Sequence, residues 1–219
     1  MKTVFPFLKQ LKTNNNKDWF DANKDRYLEA KEEYEGFVDQ VINGIRKFDK
    51  KIGGDITAKK CVFRIYKDVR FSKDKTPYKT NMGASINPGG KKDLTAGYYL
   101  HCEPGNSFLA GGVYMPEPEM LQNIRQEIDY NSKPLLKILA SASFKKYFKG
   151  LDEEGKLKTA PKGYEKDHPL IDILKNRHFI VSHPISDKQM NDPGAVKYIT
   201  DVFKSMYPFL EFLRTAQEK

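Results

Sequence analysis

Residues 97–115 read GYYLHCEPGNSFLAGGVYM, and this stretch decides the fold class. Apolar side chains take every second position from Tyr98 to Cys102. Successive side chains of a β-strand point to opposite faces, so this period of two predicts a strand with one apolar and one polar face. The pair Pro104-Gly105 predicts a turn, after which a second strand-like run follows. The stretch therefore predicts two antiparallel strands, Gly97 to Glu103 and Ser107 to Met115.

Two earlier segments show the same alternation, Cys61 to Phe71 and Lys79 to Asn87. Pro77 lies between them, and the run Pro88-Gly89-Gly90 follows the second, so both connections contain turn residues. Neighbouring strands joined by short turns form an antiparallel meander. The middle of the chain is therefore predicted to be a sheet.

Helical periodicity dominates on both sides of this sheet. The predicted helices are residues 4–13, Asp18 to about Phe48, Glu117 to Asp129, a helix beginning near Pro134, and Ala195 to Gln217. Pro208 is expected to kink the last helix, because it removes one internal hydrogen bond. Residues 148–170 are expected to form a loop or hairpin, and Phe179 to Val181 a short strand.

This order of elements predicts an α+β fold with a central antiparallel β-meander flanked by N-terminal and C-terminal helices. At 219 residues the chain is long enough for one domain with a sizeable core. We therefore expect a single domain over residues 1–219, helical in 1–50, with the central sheet in 59–115 and a mainly helical part in 116–219.

The sequence lacks the patterns that are typical of membrane proteins, secreted proteins and cysteine-bound metal sites. No stretch approaches the roughly 18 apolar residues that a membrane span needs, and the first twelve residues lack the apolar run of a secretory signal. Cys61 and Cys102 have no metal-ligand spacing, so they predict buried reduced thiols. No membrane association is expected, and the cytoplasm is the predicted compartment.

The net charge of +9 is concentrated in one segment. Residues 59–92 contain ten Lys or Arg and two Asp, whereas the rest of the chain contains 28 basic and 27 acidic residues. An anionic partner would therefore be attracted to residues 59–92.

The most charged part of this segment is residues 64–80, RIYKDVRFSKDKTPYKT. In the first predicted strand, Arg64, Tyr66, Asp68 and Arg70 share a face. Adjacent strands are expected to add five polar side chains to that face: Asn81, Ser85, Tyr99, His101 and Glu103.

This arrangement favours a site for a small anionic ligand. Arginine can bind a carboxylate or phosphate through two parallel hydrogen bonds, and Lys75 and Lys79 would add mobile charges. Asp68 lies between two arginines, so we expect it to stay ionised and to orient a guanidinium group. A solvated sheet face with weak ion pairs is the alternative. The predicted ligand-binding residues are Arg64, Tyr66, Asp68, Arg70, Lys75, Tyr78 and His101.

The sequence indicates no metal and no cofactor. No two of the four histidines have HxxxH spacing, and the glycine pairs at 89–90 and 111–112 lack the arrangement of a phosphate-binding loop. No serine or cysteine stands in a nucleophile motif. His101 is a candidate general base beside Tyr99 and Glu103, although a lone histidine on a strand is more often structural.

Four stretches together resemble the family known as domain of unknown function 2461, found mainly in bacteria. They are FLKQLKTNNNKDWFDANKDRY (7–27), RIYKDVRFSKDKTPYKT (64–80), GNSFLAGGVYMPEPEMLQNIRQEI (105–128) and PKGYEKDHP (161–169). The family's central motif maps onto Arg64, Asp68, Arg70, Phe71, Asp74, Lys75 and Tyr78. Lys67 stands where the family pattern has arginine. The resemblance implies a shared site and carries over no reaction, cofactor or catalytic residue.

Three functions are consistent with these features. The first is a small-molecule site, enzymatic or binding only, that recognises a phosphate or carboxylate through Arg64, Arg70 and Lys75. The second is association with nucleic acid, in which residues 59–92 contact phosphates and aromatic rings stack on bases. The third is a scaffold in which ion pairs of this segment lock the N-terminal helix to the sheet.

Overall fold

The computed structural model describes residues 1–218 and contains a four-stranded sheet. Its strands are β1 Met82–Ile86, β2 Gly97–Cys102, β3 Phe108–Val113 and β4 Phe179–Pro184. Their order in the sheet is β1-β2-β3-β4, and every neighbouring pair is antiparallel. The predicted α+β class and antiparallel meander are therefore confirmed.

Helices precede and follow the sheet. Within residues 1–218 they are α1 Val4–Thr13, α2 Lys17–Ala22, α3 Lys24–Ile45, α4 Ala58–Cys61, α5 Pro118–Tyr130, α6 Ser132–Ala140, α7 Ala142–Lys145, α8 Ile171–Leu174, α9 Asp187–Met190 and α10 Ala195–Gln217. The predicted bounds of α1 and α10 are confirmed, and Pro208 lies inside α10. α5 begins with Pro118. Proline is tolerated in the first turn of a helix, because N–H groups there donate no hydrogen bond within the helix.

One face of the sheet packs on helices and forms the core. Tyr34 of α3 donates a hydrogen bond from its hydroxyl to the Leu100 carbonyl at 3.1 Å. Phe203 of α10 packs on the Tyr98 ring, with the ring centroids 5.1 Å apart. All four of these residues are buried, so every second residue of β2 points into the core.

Cross-strand pairing determines which side chains share the opposite face. Ser85 pairs with Tyr99, Tyr99 with Ala110, and Ala110 with Ser182. A second row across the sheet is Gly83, His101 and Phe108. Polar groups from strands that are distant in sequence therefore meet on this face.

A buried ion pair fixes α10 to the start of β2. The side chains of Arg214 and Asp49 are 1% and 0% exposed, and Nη2 lies 2.9 Å from Oδ2. The Tyr98 hydroxyl donates to the same Oδ2 at 2.9 Å, and Arg214 Nε donates to the Ala96 carbonyl at 2.9 Å. Because a buried charge is costly without partners, this closed set of hydrogen bonds holds α10 against the sheet.

The predicted strand Cys61 to Phe71 is wrong. Two isolated bridges form after α4: Val62 with Ala84 and Tyr66 with Tyr78. From one bridge to the other the chain advances four residues between 62 and 66 but six residues between 78 and 84. The two bridges are therefore out of register, and a continuous ladder cannot form. Residues 67–77 therefore leave the sheet as a loop, and the four polar residues expected from this strand do not join the sheet face.

The predicted helix from Asp18 to about Phe48 is interrupted at Asn23. This residue separates α2 from α3 with φ −114° and ψ 22°, and its side-chain amide donates to the Trp19 carbonyl at 2.8 Å. An asparagine that bonds to nearby backbone offers the chain an alternative to a continuous helix. The predicted strand Phe179 to Val181 is confirmed, and it extends to Pro184 as the edge strand β4.

Cys61 and Cys102 are buried and unpaired, as predicted. Burial raises the pKa of both groups, that of Cys61 to about 11, so both are protonated thiols at neutral pH. Among residues 1–218, no helix has both the length and the apolar character required to cross a bilayer.

Candidate functional site

A cavity of about 830 Å³ lies over the sheet face that carries Tyr99 and His101. Alternate residues of each strand point to this face, so all four strands contribute to the floor. The floor includes Ser85 on β1, Tyr99 and His101 on β2, Phe108 and Ala110 on β3, and Ile180 and Ser182 on β4. Residues outside the strands form the walls, among them Phe63, Lys79, Leu94, Met115 and Asp152. A cavity of this size can hold a small molecule.

A hydrogen-bonded chain of three side chains begins at Tyr99 and His101 on the floor and ends at Glu103, directly after β2. The Tyr99 hydroxyl lies 3.0 Å from His101 Nδ1, and His101 Nε2 lies 3.4 Å from Glu103 Oε2. A carboxylate accepts hydrogen bonds only, so we assign the proton to Nε2, which leaves Nδ1 to accept from the tyrosine hydroxyl. The His101 ring also stacks on Phe108, with the ring centroids 4.5 Å apart. The histidine is therefore held on three sides.

Burial and hydrogen bonds together determine which groups of this chain are protonated. It raises the pKa of Tyr99 to about 12, and it lowers the pKa of His101 although Glu103 opposes that shift. Burial also raises the pKa of Glu103, but hydrogen bonds from Asn106, His101 and Thr80 outweigh it and lower the pKa. At neutral pH the chain is therefore phenol, neutral imidazole and carboxylate. The imidazole can accept the phenolic proton, and the carboxylate stabilises the imidazolium that forms.

Gly83 provides the space that the Tyr99 hydroxyl occupies. It lies opposite His101 in the sheet, and an added Cβ would be 2.6 Å from Tyr99 Oη. Such a contact is too close for two non-bonded atoms. The hydrogen bond between Tyr99 and His101 therefore depends on a residue without a side chain at position 83.

Lys79 supplies a positive charge on the wall beside β1. Its Nζ lies 5.5 Å from the centroid of the Phe63 ring, and no carboxylate of residues 1–218 forms an ion pair with it. Burial, followed by the charge of Arg64, lowers the pKa of Lys79. Lys91 also lines the cavity, but its Nζ donates to the Val62 carbonyl at 2.7 Å. Lys79 is thus the wall lysine with an ammonium group available to a ligand.

Acidic side chains lie on the wall beside β4. The Asp152 N–H donates to the Ile180 carbonyl at 2.9 Å, and Asp152 Oδ1 accepts from the Ser182 hydroxyl at 3.1 Å. Glu154 also lines the cavity. Asp93 also borders it, but both of its oxygens accept hydrogen bonds from its own loop. Available charge in the cavity is therefore positive beside β1 and negative beside β4.

The rim next to α5 contains a strained residue. Met115 has φ 49°, and its N–H donates to His178 Nδ1 at 3.0 Å. Tyr114 stacks on the same imidazole, with the ring centroids 4.8 Å apart. A left-handed backbone costs a residue with a side chain about 1–2 kcal/mol. Such strain is found preferentially at ligand-binding positions.

The structure divides the predicted site residues into two groups. His101 lines the cavity, together with Asn81, Ser85 and Tyr99 of the wider polar face. The remaining six predicted ligand-binding residues lie in 64–78 and are not part of the cavity lining. The predicted sheet face and the charged segment are therefore separate surfaces.

Three of these six residues, Asp68, Arg70 and Lys75, form contacts within their own loop. Arg70 donates two hydrogen bonds to Asp68, at 2.9 and 2.6 Å, and thereby lowers the pKa of that carboxyl. Asp68 therefore contacts the guanidinium group of Arg70. Lys75 Nζ donates to the Val69 carbonyl at 3.0 Å. Arg64 is exposed.

The two tyrosines of the segment attach it to the N-terminal helices. Tyr78 is buried and stacks on Phe20 of α2, with the ring centroids 4.0 Å apart, and Tyr66 packs on Tyr78. The Asn15 side chain bonds the N–H and the carbonyl of Tyr78, at 3.1 and 2.9 Å. Uncharged contacts therefore join this segment to the N-terminal helices. Ligand contacts by these six residues stay a prediction.

Phe63, Phe108 and Asp152 are among the cavity residues that were not identified from the sequence. Phe63 is expected on the core side of a strand, but its ring lies on the cavity wall beside Lys79. Phe108 is opposite His101, and the alternation within β3 is the signal that could have located it. Asp152 lies in a loop, where no local pattern indicates its contact with β4.

Among the described residues, no three side chains of His, Cys, Asp or Glu lie close enough together to hold a metal ion.

The structure defines an α+β protein with a candidate small-molecule site on one face of its sheet. Residues 3–212 match the family described as conserved hypothetical protein (DUF2461), and the chain belongs to this family. The resemblance carried by the central motif is thereby confirmed. Comparison with curated proteins gives no match, and comparison with solved structures gives none.

Proposed function

We propose that this protein binds a small molecule with a carboxylate or phosphate group in the cavity, and that Lys79 contacts the anionic group. The observation that carries the proposal is a half-buried wall lysine without an ionic partner among residues 1–218. Burying part of a charge costs free energy unless a partner compensates. A bound oxyanion would supply that partner through a charge-assisted hydrogen bond.

Arg64 supports the same proposal from outside the cavity. Burial lowers the pKa of the Lys79 ammonium group most, and the charge of Arg64 lowers it further. The positive potential at this wall therefore comes from two cations, and it attracts an anion more strongly than either cation alone. In this proposal the oxyanion partners are Lys79 and Arg64, whereas Arg70 is engaged with Asp68.

We further propose that the protein is an enzyme and that the chain of Tyr99, His101 and Glu103 transfers protons in its reaction. A molecule held by Lys79 extends over the floor, where the Tyr99 hydroxyl and its neutral imidazole partner are found. In this form, Tyr99 exchanges a proton with the bound molecule while His101 takes up or returns the phenolic proton. The reaction class is general acid–base catalysis on a small organic anion.

Thermal unfolding with inorganic phosphate or phenylacetate tests the proposal. A ligand at 100 times its Kd stabilises the folded state by about 2.7 kcal/mol, which raises Tm by about 5–10 °C for a chain of this size. Lys79→Met should abolish the increase in Tm. The matched control is Lys92→Met, because Lys92 is exposed and lies outside the cavity lining. The ligand should raise the Tm of this variant as much as that of the wild type. Equal increases in the wild type and Lys79→Met would refute the proposal.

A second candidate function, binding of single-stranded nucleic acid, is supported by the loop at 67–77. Phe71 is 96% exposed, and the Arg70 guanidinium carbon lies 6.0 Å from the centroid of its ring. An exposed aromatic ring beside cations suits stacking on a base combined with phosphate contacts. This surface is separate from the cavity, so the two functions can be tested independently.

Fluorescence anisotropy with a mixed-sequence single-stranded oligonucleotide tests the second candidate. Affinity should fall steeply as salt increases, because phosphate contacts release counterions. Phe71→Ala should weaken binding by about tenfold, since one stacked base contributes about 1–3 kcal/mol. Tyr130→Ala removes an exposed aromatic ring of α5 and should change nothing. Absence of binding at low salt, or equal affinities of Phe71→Ala and wild type, would exclude this function.

A further inference from the structure

We infer that the ligand of this cavity is an elongated zwitterion, with a positively charged group at the end opposite its oxyanion. The inference deepens the proposed function and rests on it. Charge is separated in the cavity, because Lys79 lies beside β1 and Asp152 contacts β4. A ligand with a single charge would compensate one wall and leave the other without a partner.

Asp152, like Lys79, is a partly buried charged residue of the cavity wall without an ion-pair partner among the described residues. It is half-buried, and among the described residues no cation forms an ion pair with it. Its hydrogen bond from Ser182 occupies Oδ1. The nearby Lys156 bonds Glu153 at 2.6 Å instead. The cavity therefore presents two partly buried, opposite charges without an ion-pair partner among the described residues, and a molecule carrying both charges supplies a partner for each.

The width of the sheet sets the length of the ligand. β1 and β4 are the outer strands of the four, so three strand spacings, or about 14 Å, separate them. A ligand that contacts both walls must therefore be elongated, on the order of 10–15 Å. Between them the floor offers the rings of Tyr99 and Phe108 together with the hydroxyls of Ser85 and Ser182. A ligand with apolar and hydrogen-bonding groups along its length suits this floor.

A tetrapeptide is a suitable probe, because an extended chain spans at most about 3.3–3.6 Å per residue, or about 13–14 Å for four. We would measure binding of Gly-Phe-Phe-Gly by isothermal titration calorimetry in three forms: free termini, acetylated amino terminus and amidated carboxyl terminus. The wild type should bind the free form best. Blocking either terminus should weaken binding by about tenfold or more, because each block removes a charge-assisted contact.

Two variants identify which residue contacts which terminus. Asp152→Asn should lose the preference for a free amino terminus and keep the preference for a free carboxylate. Lys79→Met should show the reverse pattern. Glu165→Gln removes an exposed carboxylate that is outside the cavity lining, so this control should behave like the wild type.

The outcomes separate this inference from the function on which it rests. If the wild type binds free and acetylated peptides equally, or binds none of the three, the zwitterion inference is overturned. The proposed function survives that result if phosphate or phenylacetate still stabilises the wild type but not Lys79→Met. If Lys79→Met keeps the preference for a free carboxylate, the proposed function is itself overturned. The comparison of peptides on the wild type requires no variant to fold.

Discussion

Replacing Gly83 with alanine should break the hydrogen bond between Tyr99 and His101. The added Cβ would lie 2.6 Å from Tyr99 Oη, whereas ordinary contacts begin at 3.4 Å. The hydroxyl must therefore retreat by about 0.8 Å, which can stretch a hydrogen bond of 3.0 Å beyond its normal range. Overpacking costs about 1–3 kcal/mol and a lost hydrogen bond about 0.5–1.5 kcal/mol. We expect the free energy of unfolding to fall by about 2–4 kcal/mol.

Urea denaturation of Gly83→Ala in two backgrounds measures this effect. With Tyr99→Phe the hydroxyl is absent, and the nearest contacts of the new Cβ become ring carbons at 3.2 Å. The cost of Gly83→Ala should then be smaller by about 1 kcal/mol or more. Gly36→Ala is the control, because this exposed glycine of α3 has open space around it, and alanine there should add about 0.5–1 kcal/mol. An equal cost of Gly83→Ala in both backgrounds would refute the reasoning.

Two further predictions concern charges that stabilise the fold. Burial raises the pKa of Glu33, but hydrogen bonds from the Thr3 side chain and from the backbone of residues 2–4 outweigh it and lower the pKa to about 2. A lowered pKa stabilises the folded state above the ordinary value of 4.5, so Glu33→Gln should cost about 1–3 kcal/mol at pH 7 and almost nothing at pH 2 in urea titrations. Arg214→Met leaves the carboxylate of Asp49 buried without its ion-pair partner, and should lower the free energy of unfolding by about 3–5 kcal/mol. The double variant with Asp49→Asn should recover at least half of that loss, and no recovery would contradict the role of the pair.

The strands of the sheet could be predicted because alternation is a local property. In β2, every second residue from Tyr98 is buried, so the pattern alone separates the core side from the side that carries Tyr99 and His101. The antiparallel register then brings Ser85 to the same face. These three cavity residues follow from the period of two and a short connection.

The position of the charged segment could not be predicted from its alternation. A strand forms only where a neighbouring strand offers matching hydrogen-bond partners, and the offset between the two bridges at 62–66 and 78–84 prevents this. The charges of the loop instead satisfy one another locally, as in the pair of Lys67 and Asp74 at 2.7 Å. Asp152 reaches the sheet through a contact with β4 that no periodic pattern encodes.

Amide chemical-shift mapping with phenylacetate tests the central claim most directly. If the cavity binds an oxyanion through Lys79, the largest shifts in the wild type should fall on Ser85, Tyr99 and His101, and they should disappear in Lys79→Met. Shifts confined to residues 66–77, or shifts in the cavity that persist in Lys79→Met, would contradict the account.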